Sequence, residues 1–340
     1  MDWFERLTGF REDGYEQTRD RLYVEGHRLH SRVNGCSYGI GELEVVSLGT
    51  LRKRHAPLTD AAPGKLSVRI ISGNVRPMHQ WAEHHRALFQ VASQFNLLEM
   101  VSPAVTPEEG VTRYAHDPTQ GPACAIAAGA ATIYRNYFAP AAGGIGQTRE
   151  RQINALADLG QALSVITGRT VDELWRMQNG YALCRPEGLA VVTDTLQSMS
   201  PAELDALRAR LQIGLHWNVE VTDMERPPRN TVSQAFCSAL PIAYSNLPGH
   251  NWQPLASLVL EAAYEATLLA AAENVRRGGS SVVLLTRLGG GVFGNRDEWI
   301  DAAIRRALHA LRDQPMDVRL VSYGPPSAAM LAMVRDFAHG

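Results

Sequence analysis

The chain has 340 residues, 45% of them hydrophobic and 20% charged, with a formal net charge of −2. This is the composition of a globular protein of one elaborated domain or two small ones, and its near-neutral charge speaks against nucleic acid or an anionic membrane as partner. Cys36, Cys124, Cys184 and Cys237 are scattered without a C-x-x-C pair, and the chain opens on charge. The expectation is reduced, mostly buried thiols, no metal, and a cytoplasmic protein.

In chain order, Tyr15 to His30 reads as an amphipathic helix and Asn34-Gly35 as a hairpin turn between short extended runs. Leu43 to Arg54 reads as a strand and a short helix. Residues 1–60 form an expected N-terminal extension packed on a main domain of 61–340, with Pro57 to Gly64 as the linker. Leu66 to Ser72 alternates as a strand and runs into Gly73-Asn74-Val75. Met78 to Arg86 suits a short polar helix. Its His79, His84 and His85 are five and one apart, not the four of a metal-binding helical pair, and are assigned to a solvated face.

Ala87 to Asn96 reads as a second strand. The Pro-containing stretch from Val101 to Pro118 is longer than a compact connection needs and is expected to be an ordered, functional loop. It holds Glu108, Glu109 and Asp117, with Glu99 just before it. Thr119-Gln120-Gly121-Pro122 then feeds an alanine-rich helix, Ala123 to Tyr137, a small-residue start suited to an anion. Helices are expected over 147–166, 170–179 and 201–212, the last capped by Ser200, with a β-like stretch over 181–195. Residues 140–213 are treated as an insertion. Leu215 to Val221 and Val232 to Tyr244 read as strands. Trp252 to Arg277 reads as a long buried helix, broken by Glu261 and Glu265 as a membrane span.

The most informative stretch is Ser281 to Tyr323. Val282 to Thr286 is an apolar run typical of a strand buried on both faces. Gly289, Gly290 and Gly291 follow, then Val292-Phe293-Gly294-Asn295, an amphipathic helix through Trp299 and Leu311, and a strand from Asp317 to Tyr323. Pro326 to Phe337 closes the chain as a helix. A glycine loop feeding a helix presents backbone amides to an anion, with phosphate the first choice. Gly289, Gly291 and Gly294 also match G-x-G-x-x-G. However, the next strand ends in Ser322-Tyr323-Gly324 without an acidic residue, and only one more helix follows. A dinucleotide-dependent oxidoreductase is therefore an alternative of lower rank. Strands alternating with helices predict a three-layer α/β/α fold with a mixed, largely parallel sheet. The loops after Asn96 and after Leu288 then flank one crevice at the carboxyl ends of strands.

The two loops together resemble those of the macrodomain family, whose members bind ADP-ribose. The likeness is carried by Gly290-Gly291-Val292-Phe293-Gly294 with Tyr323, by Gln90 to Asn96 with Gln120-Gly121-Pro122-Ala123, and by Gly73-Asn74-Val75, which is similar to the turn that touches adenine. It covers about 66–138 and 215–324. The long acidic first loop is most similar to divergent macrodomains related to poly(ADP-ribose) glycohydrolase and to bacterial-effector-type enzymes that remove ADP-ribose from arginine, including arginine on ubiquitin.

The resemblance implies an ADP-ribosylhydrolase without cofactor, acting on an ADP-ribosylated protein. It implies that Gly121 and Gly289, Gly290, Gly291, Val292, Phe293, Gly294 and Asn295 hold the diphosphate and adjoining ribose. Tyr323 would stack on adenine beside Asn74, while Asn96 and Gln120 would hold ribose hydroxyls or water. In the first loop the family's run of glycines is replaced by a longer stretch, which leaves the catalytic acid open among Asp117, placed first, Glu99, and Glu108 or Glu109. Breaking a ribosyl bond needs such a carboxyl group to protonate the leaving group or activate water. A non-catalytic reader of ADP-ribose is the other alternative.

Overall fold

The apolar run Val282–Leu285 is a strand buried on both faces, and six further strands pair around it. The computed structural model describes residues 1–55 and 64–338; of the expected linker at 57–64, all but Gly64 lies outside the described residues. The sheet strands are β1 (Glu42–Ser47), β2 (Ser67–Ser72), β3 (Leu88–Ala92), β4 (Gln212–Glu220), β5 (Thr231–Cys237), β6 (Val282–Leu285) and β7 (Asp317–Ser322). Their order is β1-β4-β5-β3-β6-β7-β2. β5, β3, β6, β7 and β2 run parallel, while β4 is antiparallel to both of its neighbours.

Side chains alternate across a strand, so successive residues of β3 and β5 report on the two faces. Gln90 donates to Thr267 Oγ1 at 2.9 Å and Ser233 to Asn274 Oδ1 at 2.9 Å, which places α3 (Gly249–Arg276) on one face. Gln234 donates to the Cys124 carbonyl at 3.0 Å, and Arg135 lies 3.9 Å above the Phe236 ring. These contacts place α1 (Gln120–Ala127) and α2 (Gly129–Tyr137) on the other face. α4 (Asp297–Ala310) packs beside α3. The fold is thus α/β, in three layers, around a mixed and largely parallel sheet. α3 is long and apolar enough to cross a membrane by length and composition, but it is a core helix with most of its surface covered.

Residues 1–40 add a second apolar cluster, while Val46, Leu48 and Leu51 belong to the main core. Trp3, Phe4, Leu7, Phe10 and Tyr38 pack on α1, α2 and the 98–114 stretch. Several local expectations are corrected. The helix expected over 15–30 ends at Asp20, and Leu22–Glu25 and Arg28–Ser31 form a hairpin about Gly26, whose φ of 57° a helix cannot take. Helix 147–166 begins only at Ala157, because the Gln147 side chain captures the Ile153 amide and the Asn96 and Arg135 carbonyls. Helix 170–179 stops at Leu174. Trp175–Gln178 and Tyr181–Cys184 pair about Asn179-Gly180, both at positive φ, and Pro186–Ser198 is a helix rather than a β-like run. The helix 78–86 is replaced by short turns. His79 and His84, assigned to solvent, are fully buried, with His79 stacked on Phe89 at 3.8 Å.

Candidate active site

Ala92, Cys237 and Thr286, at the carboxyl ends of β3, β5 and β6, line one cavity of about 220 Å³. From β3 the chain crosses to α1 and α2 on one face, and from β6 to α4 on the other. The connections therefore part between these adjacent strands, which is where an open parallel sheet leaves a crevice.

One wall is the loop after β6. Gly289 and Gly294 sit at φ of 69° and 73°, which favours glycine. The buried Asn295 closes the loop on itself: its amide donates to the Gly289 carbonyl at 2.9 Å and its side chain to the Leu240 carbonyl at 2.9 Å. Gly294 donates to Gly291, and Phe293 accepts from the Ala243 amide. The amides of Gly289, Gly291, Val292 and Phe293 have no hydrogen-bond acceptor among the described residues, and all four residues line the cavity. Arg287 lines it too, but its guanidinium is taken up by Asp297 at 2.7 Å and by Asp301. Any anion on this wall would therefore be held by backbone dipoles.

The opposite wall is the end of β3, the loop 93–119 and the start of α1. The Gln120 side chain acts as a short extra strand, accepting from the Ala92 amide at 2.8 Å and donating to the Gln90 carbonyl at 2.8 Å. Gly121 lets the helix press against β3, because a Cβ there would lie 2.0 Å from the Ala92 carbonyl oxygen and 3.1 Å from Glu99 Cγ. No side chain caps α1, which leaves its first amides facing the same crevice.

Glu99 is the unusual group on this wall. It lines the cavity yet is fully buried, and neither carboxyl oxygen has a hydrogen-bond partner among the described residues. Its one charged neighbour within 4 Å is Arg135, at 3.6 Å. Burial pushes the Glu99 carboxyl up to about 8, against a smaller opposing pull from Arg135. Burial therefore favours its protonated form. Asp117, at the other end of the loop, is half-buried on the same cavity and accepts the Thr119 amide at 2.9 Å.

The mouth is aromatic. Tyr181, Tyr244 and Phe293 come from three separate segments and pack with ring centroids 5.3 to 5.9 Å apart. Tyr181 also donates to the Met100 carbonyl at 2.6 Å, which ties the 175–184 hairpin to the loop that carries Glu99.

Of the residues singled out in the sequence, Glu99, Asp117, Gln120, Gly121, Gly289, Gly291, Val292 and Phe293 meet at this cavity. The others do not line it. Gly290 packs toward Ile300, Gly294 toward Ala243, and Asn295 is the internal staple described above, so these three shape the loop rather than face a ligand. Asn96 is buried behind the loop, with its side chain bonded to Gln152 and to the Leu98 amide. Glu109 is exposed, caps the turn at Thr106 and pairs with Arg113; Glu108 accepts the Arg149 amide. Asn74 caps the short turn 75–78, and Tyr323 is 83% exposed. Neither Asn74 nor Tyr323 lines the cavity.

Gln94, Tyr181, Tyr244, Cys237 and Ala239 line the cavity without having been singled out as site residues. For Tyr181 the signal was the hairpin dipeptide Asn179-Gly180 just before it. Among the described residues no group of His, Cys, Asp or Glu side chains is placed to hold a metal ion.

No family model matches the chain, and no curated protein is similar to it. Among solved structures it is similar to poly(ADP-ribose) glycohydrolase from Deinococcus radiodurans in complex with ADP-ribose, with a TM-score of 0.44 and 11% identity over 87% of this chain and 94% of that one. It is also similar to the enzyme from Thermomonospora curvata, with a TM-score of 0.42 and 13% identity over 95% of both chains. For the Thermomonospora enzyme bound to the inhibitor ADP-HPD, the TM-score is 0.37 at 13% identity, over 94% of this chain and 95% of that one. At these values the likenesses carry nothing for the site, whose chemistry rests on its own residues.

Proposed function

We propose that this chain binds ADP-ribose in the cavity and hydrolyses the bond between its distal ribose and a protein side chain. The observation that supports this most is the pairing, in one cavity, of unpartnered backbone amides with an unpartnered carboxyl group whose burial favours the protonated form. The amides of Gly289, Gly291, Val292 and Phe293, with the start of α1, suit the diphosphate. Glu99 suits the leaving group. As the bond from C1 of the ribose breaks, Glu99 gives its proton to the departing atom, and a water oriented by Asp117 bonds to C1 and passes its proton to the Asp117 carboxylate, from which the Glu99 carboxyl is restored through solvent. Two carboxyl groups in such different surroundings are suited to different roles. The aromatic mouth offers ring faces to the base or the ribose.

The finer part of the proposal is that the linkage is to arginine, with modified ubiquitin as one carrier. The test is incubation with arginine-modified ubiquitin, with serine-linked ADP-ribose and with the polymer, reading free ADP-ribose by chromatography. Release from the arginine linkage is expected. Release only from the other two would overturn the arginine assignment. Binding of ADP-ribose without release from any of the three would leave a reader in place of an enzyme.

A further inference from the structure

Resting on the assignment of Glu99 above, we propose that Arg135 is a positioning residue of the reaction, fixing both the loop and the carboxyl group that the loop carries. Arg135 is fully buried on α2, an unusual place for a guanidinium. Its Nε donates to the Leu97 carbonyl at 3.0 Å and its Nη2 to Thr132 Oγ1 at 3.1 Å, while its plane lies over Phe236. Leu97 sits two residues before Glu99 at a φ of 63°, a strained setting for a branched side chain that surrounding contacts must hold. Arg135 supplies one of them.

The same guanidinium stands 3.6 Å from Glu99 Oε2, longer than a hydrogen bond, and its Nη1 has no acceptor among the described residues. The carboxyl group is therefore steered by charge without being tied up, and stays available to the cavity. The other titratable groups facing Glu99 are Tyr114, whose hydroxyl accepts the Glu99 amide at 3.0 Å, Asp117 from the loop and Cys124 from α1. His216 of β4 faces Arg135 from behind. Among these, only Arg135 is a permanent cation, so it favours the ionised form of Glu99 and limits how far burial can hold the proton.

Two substitutions separate the charge of Arg135 from its shape. Arg135→Met removes both and, since Glu99 can remain neutral, leaves no orphan charge. Arg135→Lys keeps the charge but cannot reach Leu97 and Thr132 with one planar fork. Glu99 is titrated directly by carbon-13 NMR of labelled glutamate, its signal identified by its absence from Glu99→Gln. In Arg135→Met the midpoint rises by at least about one pH unit and the upper limb of kcat/KM moves with it, while ADP-ribose affinity stays within about threefold. In Arg135→Lys the midpoint stays near that of the parent, but kcat falls about tenfold with KM unchanged, as for a misplaced catalytic group. An unmoved midpoint in folded Arg135→Met would overturn the proposal, as would parental kcat in Arg135→Lys, the deciding variant if the methionine form does not fold. A parent without turnover would defeat the proposed function instead, since the NMR midpoint needs no catalysis.

Discussion

The two walls of the cavity differ in how much distant chain they draw on. The glycine loop after β6 is about ten residues long and is held by its own backbone, by Asn295, by the 240–243 turn and by Tyr264 and Gln90 of the neighbouring core. The loop after β3 is more than twice as long and, besides its own turns, is tied down by several distant segments. Glu12 accepts the Val111 and Thr112 amides, Tyr181 binds the Met100 carbonyl, Gln178 and Asn179 donate to the Pro103 carbonyl, and Arg135 binds Leu97. A backbone anion cradle needs only local geometry. A buried carboxyl group needs chain packed around it, here Tyr114, Arg135 and α1, with residues 1–55 and the 140–213 stretch holding the loop in place.

The sharpest way to break that contrast is to remove the acid. Glu99→Gln is expected to lose at least roughly a hundredfold in turnover, the usual scale for a general acid, with ADP-ribose affinity within about tenfold. Asp117→Ala, on the exposed end of the same loop, should lose less. Equal turnover in parent and Glu99→Gln would mean that the buried carboxyl has no part in the chemistry.

Stability should move the other way. A carboxyl raised to about 8 binds its proton more tightly in the folded chain than in the unfolded one. Its contribution to stability is therefore complete below the ordinary carboxylate range and is lost as pH rises through about 8. Glu99→Gln lacks that loss, so its melting temperature relative to the parent should climb between pH 5 and pH 8.5. Asp205 has the opposite dependence, since hydrogen bonding to Arg52 holds it low and its stabilisation fades on acidification. Both proteins share it, so the difference between them isolates Glu99. A flat difference would contradict the buried, protonated assignment.

The same contrast explains what the sequence made legible. The strand–glycine loop–helix–strand unit from Val282 to Ser322 reads correctly because apolar runs, glycines and helical spacing are all local signals. Gly121 reads for the same reason. Glu99 and Asp117 both reach the cavity, but the burial of Glu99 by Tyr114, Arg135 and α1 is tertiary and leaves no local mark. Tyr323 stands out by ending the last strand, but nothing in a sequence says that the chain beyond it leaves the ring in solvent. Tyr181 does not stand out, because an expected helix over 170–179 takes in Asn179, the first residue of the turn before it.

A smaller effect sharpens the mouth. Tyr244→Ala should weaken ADP-ribose about fivefold, on the order of 1 kcal/mol for one aromatic contact, and Tyr323→Ala less than about twofold. The reverse ranking, read by fluorescence titration, would return the stacking role to the strand end.

The central claim is that the backbone of the glycine loop holds the diphosphate, and calorimetric titration of Gly291→Val tests it most directly. A Cβ at Gly291 meets nothing within 4 Å, so the variant should fold, while a branched side chain on this cavity-lining residue is expected to obstruct a ligand that must reach its amide. The expected result is measurable ADP-ribose binding by the parent, in preference to NAD and ATP, and none by the folded variant. Parental affinity in Gly291→Val would contradict the account.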